Sequence, residues 1–302
     1  MSLQDPRSLQ ERFAGRWVRF EAGQGGLTCV RVATPAALAE VYLHGAHVSA
    51  YQPAGQAPLL WMSRQSWFAP GRPIRGGVPI CCPWFGPHGD NPQAPMHGTV
   101  RLQEWQLAGI REHDDEVTLL LRHAWSDLDR QYFPNRLGLE YTIHVGPQLH
   151  LELAVANLDE RPVRLTEALH AYFNVGDARA IHIHGLEHAD YLDKTDNLAR
   201  KNQGPAPIGL TGQTNRVYLD TPATCRLEDP ALGRWIIVQK SGSATTVVWN
   251  PWSANAAAMP DFGDDQWQGM VCIEMANAFD NAVVLQGGAT HRMGTKISAG
   301  PM

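Results

Sequence analysis

The stretch LEYTIHVGPQLHLELAVAN, residues 139–157, holds two runs of partly alternating apolar and polar side chains joined by three residues suited to a turn. A period of two belongs to a pleated strand with one buried face. Gly146, Pro147 and Gln148 make a hairpin-sized connection between the runs. LTCVRVAT (27–34), EVTLLLRHAW (116–125) and TTVVWN (245–250) share the same wealth of valine, threonine and aromatic residues. Such segments recur every ten or so residues, punctuated by glycine, proline and asparagine, which predicts an all-β chain built as an antiparallel sandwich or barrel. Helices are expected to be few and short, with DPRSLQERFAG near the N-terminus the best candidate. The glycine- and proline-bearing segment from Gln203 to Gly212 reads as an exposed loop. Composition does not shift along the chain and no internal repeat is visible, so one domain over residues 1–302 is expected.

The 302 residues are 44% hydrophobic, enough to bury a substantial core. A formal charge of −5 and a pI near 6.2, with no lysine-rich run, argue against a nucleic-acid partner. No apolar run reaches the length of a membrane span, and the N-terminus lacks the basic-then-apolar order of a secretory signal. A cytoplasmic monomer is the expectation. Cys29, Cys81, Cys82, Cys225 and Cys272 show neither zinc-knuckle nor disulfide spacing, and read as reduced, buried thiols.

Histidines and carboxylates are the candidates for chemistry. In IHIHGLEH, His182 and His184 share one face of a probable strand, a spacing open to two metal ligands, but no third ligand accompanies them and a solvated strand face is the plainer reading. In TEALHAYFN (166–174), His170 sits among apolar and aromatic residues, where a core histidine with a backbone partner would also fit. VCIEMAN (271–277) strands Glu274 among apolar neighbours. A carboxylate buried there either meets a cation or has its pKa raised toward the range useful to a general base. PMHGTVR (95–101) adds His97 and Arg101, and VVWNPW (247–252) offers Trp249 and Trp252, aromatic faces suited either to a sugar ring or to packing.

Taken together and in order, IRGGVPICCPWFG, HGTVR, TEALHAYF, TNRVYLD, VVWNPW and CIEMAN resemble the hexose-6-phosphate mutarotases, or glucose-6-phosphate 1-epimerases, of the aldose 1-epimerase superfamily. The resemblance runs from about residue 40 to about residue 290 and implies a large β-sandwich of the galactose mutarotase type. It implies a catalytic pair, Glu274 as base and His170 as acid, opening the pyranose by proton transfer with neither cofactor nor metal. It also assigns Arg75 and Arg101 to the phosphate of a sugar phosphate, with His97, Asn215 and Trp249 as further substrate contacts. Guanidinium forks suit phosphate oxygens, and glycines beside Arg75 would let backbone amides approach an anion. Two departures are visible: Asn215 stands where relatives often carry aspartate, and Cys82 where they commonly carry tryptophan. An epimerase of unphosphorylated sugars and a non-catalytic carbohydrate-binding sandwich are the alternatives.

Overall fold

Strands Leu137–Val145 and Leu149–Asn157 pair antiparallel, with Val145 opposite Leu149, so residues 146–148 form the expected hairpin connection. Leu139, Tyr141, Ile143 and Val145 point inward with Leu149, Leu151, Leu153 and Val155, and none is more than 3% exposed. The computed structural model describes residues 4–302. Around this hairpin a nine-stranded antiparallel sheet extends to Gln106–His113 on one side and, through Thr290–Pro301 and Arg234–Ser241, to Ile208–Gly209 on the other. A four-stranded sheet is formed by residues Val18–Pro53.

A further eight-stranded sheet carries the polar residues singled out above. Thr214–Tyr218, Thr245–Asn250, Met270–Asn277 and Glu167–Leu169 lie side by side in it, followed by Ile80–Cys81. Met270–Asn277 is buried on both faces. Val271, Ile273 and Met275 join the main core with Val248, Tyr218 and the inward face of the nine-stranded sheet. Cys272, Glu274 and Ala276 point to the opposite face, because alternate residues of a strand face opposite ways. The Cα register sets Val247 opposite Glu274 and Trp249 opposite Asn215. Pleat and register thus place Asn215, Val247, Trp249 and Glu274 on one face.

The short N-terminal helix is present as Pro6–Arg12. Proline occupies its first turn, and the Asp5 carboxylate accepts from the Ser8 backbone N–H at 3.1 Å. Residues 1–3 of the N-terminal stretch lie outside the described residues. One expectation is corrected: within 203–212, Ile208 and Gly209 form a strand paired with His182–His184, and Ile208 and Leu210 are buried. The prolines and glycines of that segment hide two apolar anchors that plug into the edge of the nine-stranded sheet.

Candidate active site

On that face of the eight-stranded sheet lies a cavity of about 500 Å³. Arg75, His97, Arg101, His170, Asn215, Trp249 and Glu274 all line it, although they come from segments spread over two hundred positions of the chain. Trp252, by contrast, packs away against Trp267.

His170 and Glu274 meet at the cavity wall, Nε2 to Oε1, at 3.4 Å. Both side chains are almost wholly buried, and neither His170 Nδ1 nor Glu274 Oε2 has a hydrogen-bond partner. Burial pushes the Glu274 carboxyl up to about 8, against a smaller opposing pull from Lys194. Burial, reinforced by Arg101 and Arg75, holds His170 well below the ordinary histidine range. The imidazole is fixed by its neighbours: Tyr172 stacks on it at 4.7 Å between centroids, and Trp249 and His97 meet it edge-on.

His97 is locked differently. Its Nδ1 accepts the Gly86 backbone N–H at 3.1 Å and its own N–H donates to the Gly86 carbonyl at 2.7 Å. With Nδ1 an acceptor, the ring proton of the neutral imidazole belongs on Nε2. Burial, followed by the charge of Arg101, keeps the ring neutral. The residue adopts a left-handed conformation (φ 64°), and Gly98 follows with φ 81° so close to the Cys82 carbonyl that no side chain fits there. Cys82 itself is buried in the main core and does not line the cavity, so its side chain bears on packing and not on the cavity wall.

The two arginines differ. Arg75 lies in the cavity wall, yet its fork is engaged: Nε and Nη2 each donate to Asp261 at 3.2 Å, and Nη1 donates to the Tyr172 hydroxyl at 3.2 Å. The glycines beside it also have another use than the one expected. Gly77 donates its N–H to the Trp61 carbonyl at 2.7 Å, and a Cβ there would lie 2.2 Å from the Val48 carbonyl oxygen, so the turn is glycine because strands crowd it. Arg101 has no carboxylate within ion-pair reach among the described residues; Nη2 donates to the Met96 carbonyl at 2.7 Å and Nε has no partner.

Two charged residues of the cavity, Lys194 and Asp261, escaped the sequence reading. Lys194 lies with Nζ 5.7 Å from the centre of the Phe85 ring, without an ion-pair partner among the described residues. Its peptide N–H donates to the Asn215 carbonyl, which ties the turn after Asp190–Asp193 to the site. Asp261, 4% exposed, is the counter-ion of Arg75. In DKTDN a lysine among acids reads as a solvated turn, and no local signal marks it. MPDFGDDQW, just upstream of CIEMAN, offers only a carboxylate beside apolar residues. His182 and His184 do not line the cavity, and both approach Glu228, at 4.0 and 3.2 Å.

The sequence profile of the family described as aldose 1-epimerase matches residues 28–298. The chain belongs to the aldose 1-epimerase family. That membership makes it an epimerase or mutarotase, an isomerase by class. Among its relatives, a protein of Cenchrus ciliaris with the provisional name glucose-6-phosphate 1-epimerase is 34% identical over 278 residues, covering 87% of this chain and 82% of the relative. One of Escherichia coli with the same provisional name is 32% identical over 265 residues, covering 88% of each. A solved Salmonella typhimurium structure, provisionally described as a mutarotase, superposes with a TM-score of 0.89 at 30% identity, covering 95% of this chain and 94% of that one. A galactose mutarotase-like protein of Clostridium acetobutylicum shares the fold at 14% identity, with a TM-score of 0.71 over 95% and 99% of the two chains. The antiparallel sandwich of this aldose 1-epimerase family member is therefore the galactose mutarotase-like architecture.

Proposed function

We propose that the enzyme interconverts the α and β anomers of glucose 6-phosphate and related hexose 6-phosphates. The observation that carries this reading is the pairing of His170 with Glu274 in a cavity whose walls hold two cations, Arg101 and Lys194, that have no carboxylate within ion-pair reach among the described residues. A doubly charged phosphate supplies what both cations lack.

Ring opening needs a proton removed from the anomeric hydroxyl and one delivered to the ring oxygen, as the C1–O5 bond breaks and C1=O1 forms. The buried pair shares one mobile proton. In the free enzyme burial places it on Glu274 and leaves His170 neutral. As sugar hydroxyls reach the carboxylate and hydrogen-bond to it, the proton passes to His170 across the 3.4 Å contact. Glu274 then takes the anomeric proton while His170 protonates the ring oxygen. The aldehyde turns about its C1–C2 bond, the C5 hydroxyl closes on the other face, and the two side chains return their protons in exchanged roles. His97, whose Nδ1 already accepts from Gly86, donates its Nε2–H to a sugar oxygen in this reading without itself changing charge. Trp249 offers an aromatic surface to the ring, and Asn215 an amide that can both donate and accept.

Arg75 serves differently from Arg101. Because Asp261 already neutralises it, its part is to orient Tyr172 against His170 and to meet sugar hydroxyls, with little net charge to offer a phosphate. Exchange spectroscopy by NMR on glucose 6-phosphate and on free glucose tests the reading. Faster exchange of the phosphorylated sugar is expected; equal or greater acceleration of free glucose would favour an epimerase of unphosphorylated sugars.

A further inference from the structure

Another buried carboxylate stands outside the cavity. Asp129 lies in the helix Asp127–Tyr132, is wholly buried and does not line the cavity. Its Oδ1 accepts from the Thr99 hydroxyl and from Gln103 Nε2, the latter at 2.8 Å. Its Oδ2 accepts from His123 Nε2 at 2.8 Å and from Ser126 through the backbone N–H (2.8 Å) and the hydroxyl (2.9 Å). One carboxylate therefore joins the helix and the end of strand Glu116–His123 to two points of the segment 99–103.

Those two points flank Arg101. Thr99 precedes it by two residues, Gln103 follows it by two, and the intervening Val100–Leu102 is a single helical turn. The neighbouring catalytic-side histidine is held independently, since His97 is fastened through Gly86 on both its ring and its backbone. Arg101 itself has the Met96 carbonyl as its side-chain tether. We propose that Asp129 is a positioning residue for substrate discrimination: by gripping Thr99 and Gln103 it sets where the Arg101 guanidinium reaches into the cavity, and so how strongly the enzyme favours a phosphorylated sugar. This rests on the reading of Arg101 as a phosphate-binding group. A carboxylate surrounded by five donors stays ionised, and Asp129 is held down to about 2 by hydrogen bonds from His123, Thr99 and Ser126 that outweigh the cost of its burial. An amide in its place would turn an N–H toward one of those donors.

The test compares kcat/KM for glucose 6-phosphate and for free glucose in the parent enzyme, Asp129→Asn, Arg101→Ala and the double variant, with folding followed by circular dichroism. Asp129→Asn is expected to lower kcat/KM for the phosphorylated sugar about tenfold, mainly through KM, and to lower the phosphorylated-to-free ratio several-fold, since a small misplacement of a binding group is costly. In the Arg101→Ala background the same change should leave the ratio where Arg101→Ala put it, because the two act through one contact. Equal loss for both substrates, or a ratio that falls further in the double variant, overturns the proposal. If Asp129→Asn does not fold, Thr99→Val, which removes one strut of nearly the same shape, is read the same way. A ratio unmoved by Asp129→Asn and Thr99→Val but lowered by Arg101→Ala overturns the positioning role alone. A ratio unmoved by Arg101→Ala overturns the phosphate reading and this proposal with it.

Discussion

Two buried histidine–carboxylate pairs sit in this protein and behave oppositely. His123 and Asp129 meet at 2.8 Å, and the carboxylate collects further hydrogen bonds from Thr99, Gln103 and Ser126. His170 and Glu274 meet at 3.4 Å, and one carboxylate oxygen has no partner at all. The first carboxyl is held down to about 2, the second is pushed up to about 8. Burial is common to both, so the supply of hydrogen-bond donors makes the difference. Where donors are plentiful the carboxylate is held ionised. Where they are withheld the proton becomes mobile, which suits acid–base chemistry on a sugar.

The most severe test of the contrast removes the starved pair. Glu274→Gln or His170→Ala, in a protein that stays folded, should lose about 10²-fold or more of the accelerated anomer exchange, down toward the spontaneous rate. Near-normal exchange by NMR in either variant would sink the assignment of that residue. Next come the unpaired cations. Arg101→Ala and Lys194→Ala should each lower kcat/KM for glucose 6-phosphate by about 10- to 150-fold, the worth of a charge-assisted hydrogen bond, with a much smaller change for free glucose. Arg101→Lys should lose less than Arg101→Ala, because it keeps the charge without the fork.

The proton balance of the pair gives a pH dependence. A raised carboxyl pKa means Glu274 is protonated below about 8 and ionised above it. Above that pH the pair, with His170 neutral, no longer holds the proton it must deliver. The rate should fall about tenfold per pH unit on the alkaline side, with an apparent pKa near 8 that belongs to the pair. A rate still flat at pH 10 would show that the proton comes from elsewhere. A gentler effect is expected from the double variant Arg75→Ala with Asp261→Asn, which removes the ion pair together. It should slow phosphorylated and free glucose by similar factors, leaving their ratio within about twofold of the parent, since it changes no net charge in the cavity. A ratio collapsing in that double variant would return Arg75 to the phosphate. The smallest effect belongs to the histidines beside Glu228. The variant His182→Ala with His184→Ala should exchange anomers at the parent rate, and chelator treatment of the parent should change nothing; a loss reversed by zinc would contradict a mechanism built only on side-chain proton transfer.

Strand identity was legible in the sequence because it depends on local pattern: side chains two apart spell out the hairpin at 139–157, and a run of β-branched and aromatic residues marks the strand at 245–250. His170 and Glu274 were legible as candidates for a related reason, each being a titratable residue set in an apolar run that burial would make costly. Their convergence with Arg75, His97, Arg101, Asn215 and Trp249 on one cavity came from matching several separated motifs at once, not from any one of them. Tertiary structure alone decided how those groups are charged and engaged. Arg75 and Arg101 look alike in sequence, and only the approach of Asp261, 186 positions away, neutralises the first and leaves the second free. Lys194 enters the cavity because a backbone hydrogen bond to Asn215 carries its turn there. Asp129 and Glu274 part company because one meets donors from the segments around it and the other is left with a carboxylate oxygen that no donor reaches. Chain patterning fixes which face a side chain takes, since that is set by neighbours one or two residues off. The charge state of a buried group is set by whatever folding brings within a few ångströms, and that is a property of the assembled sheets.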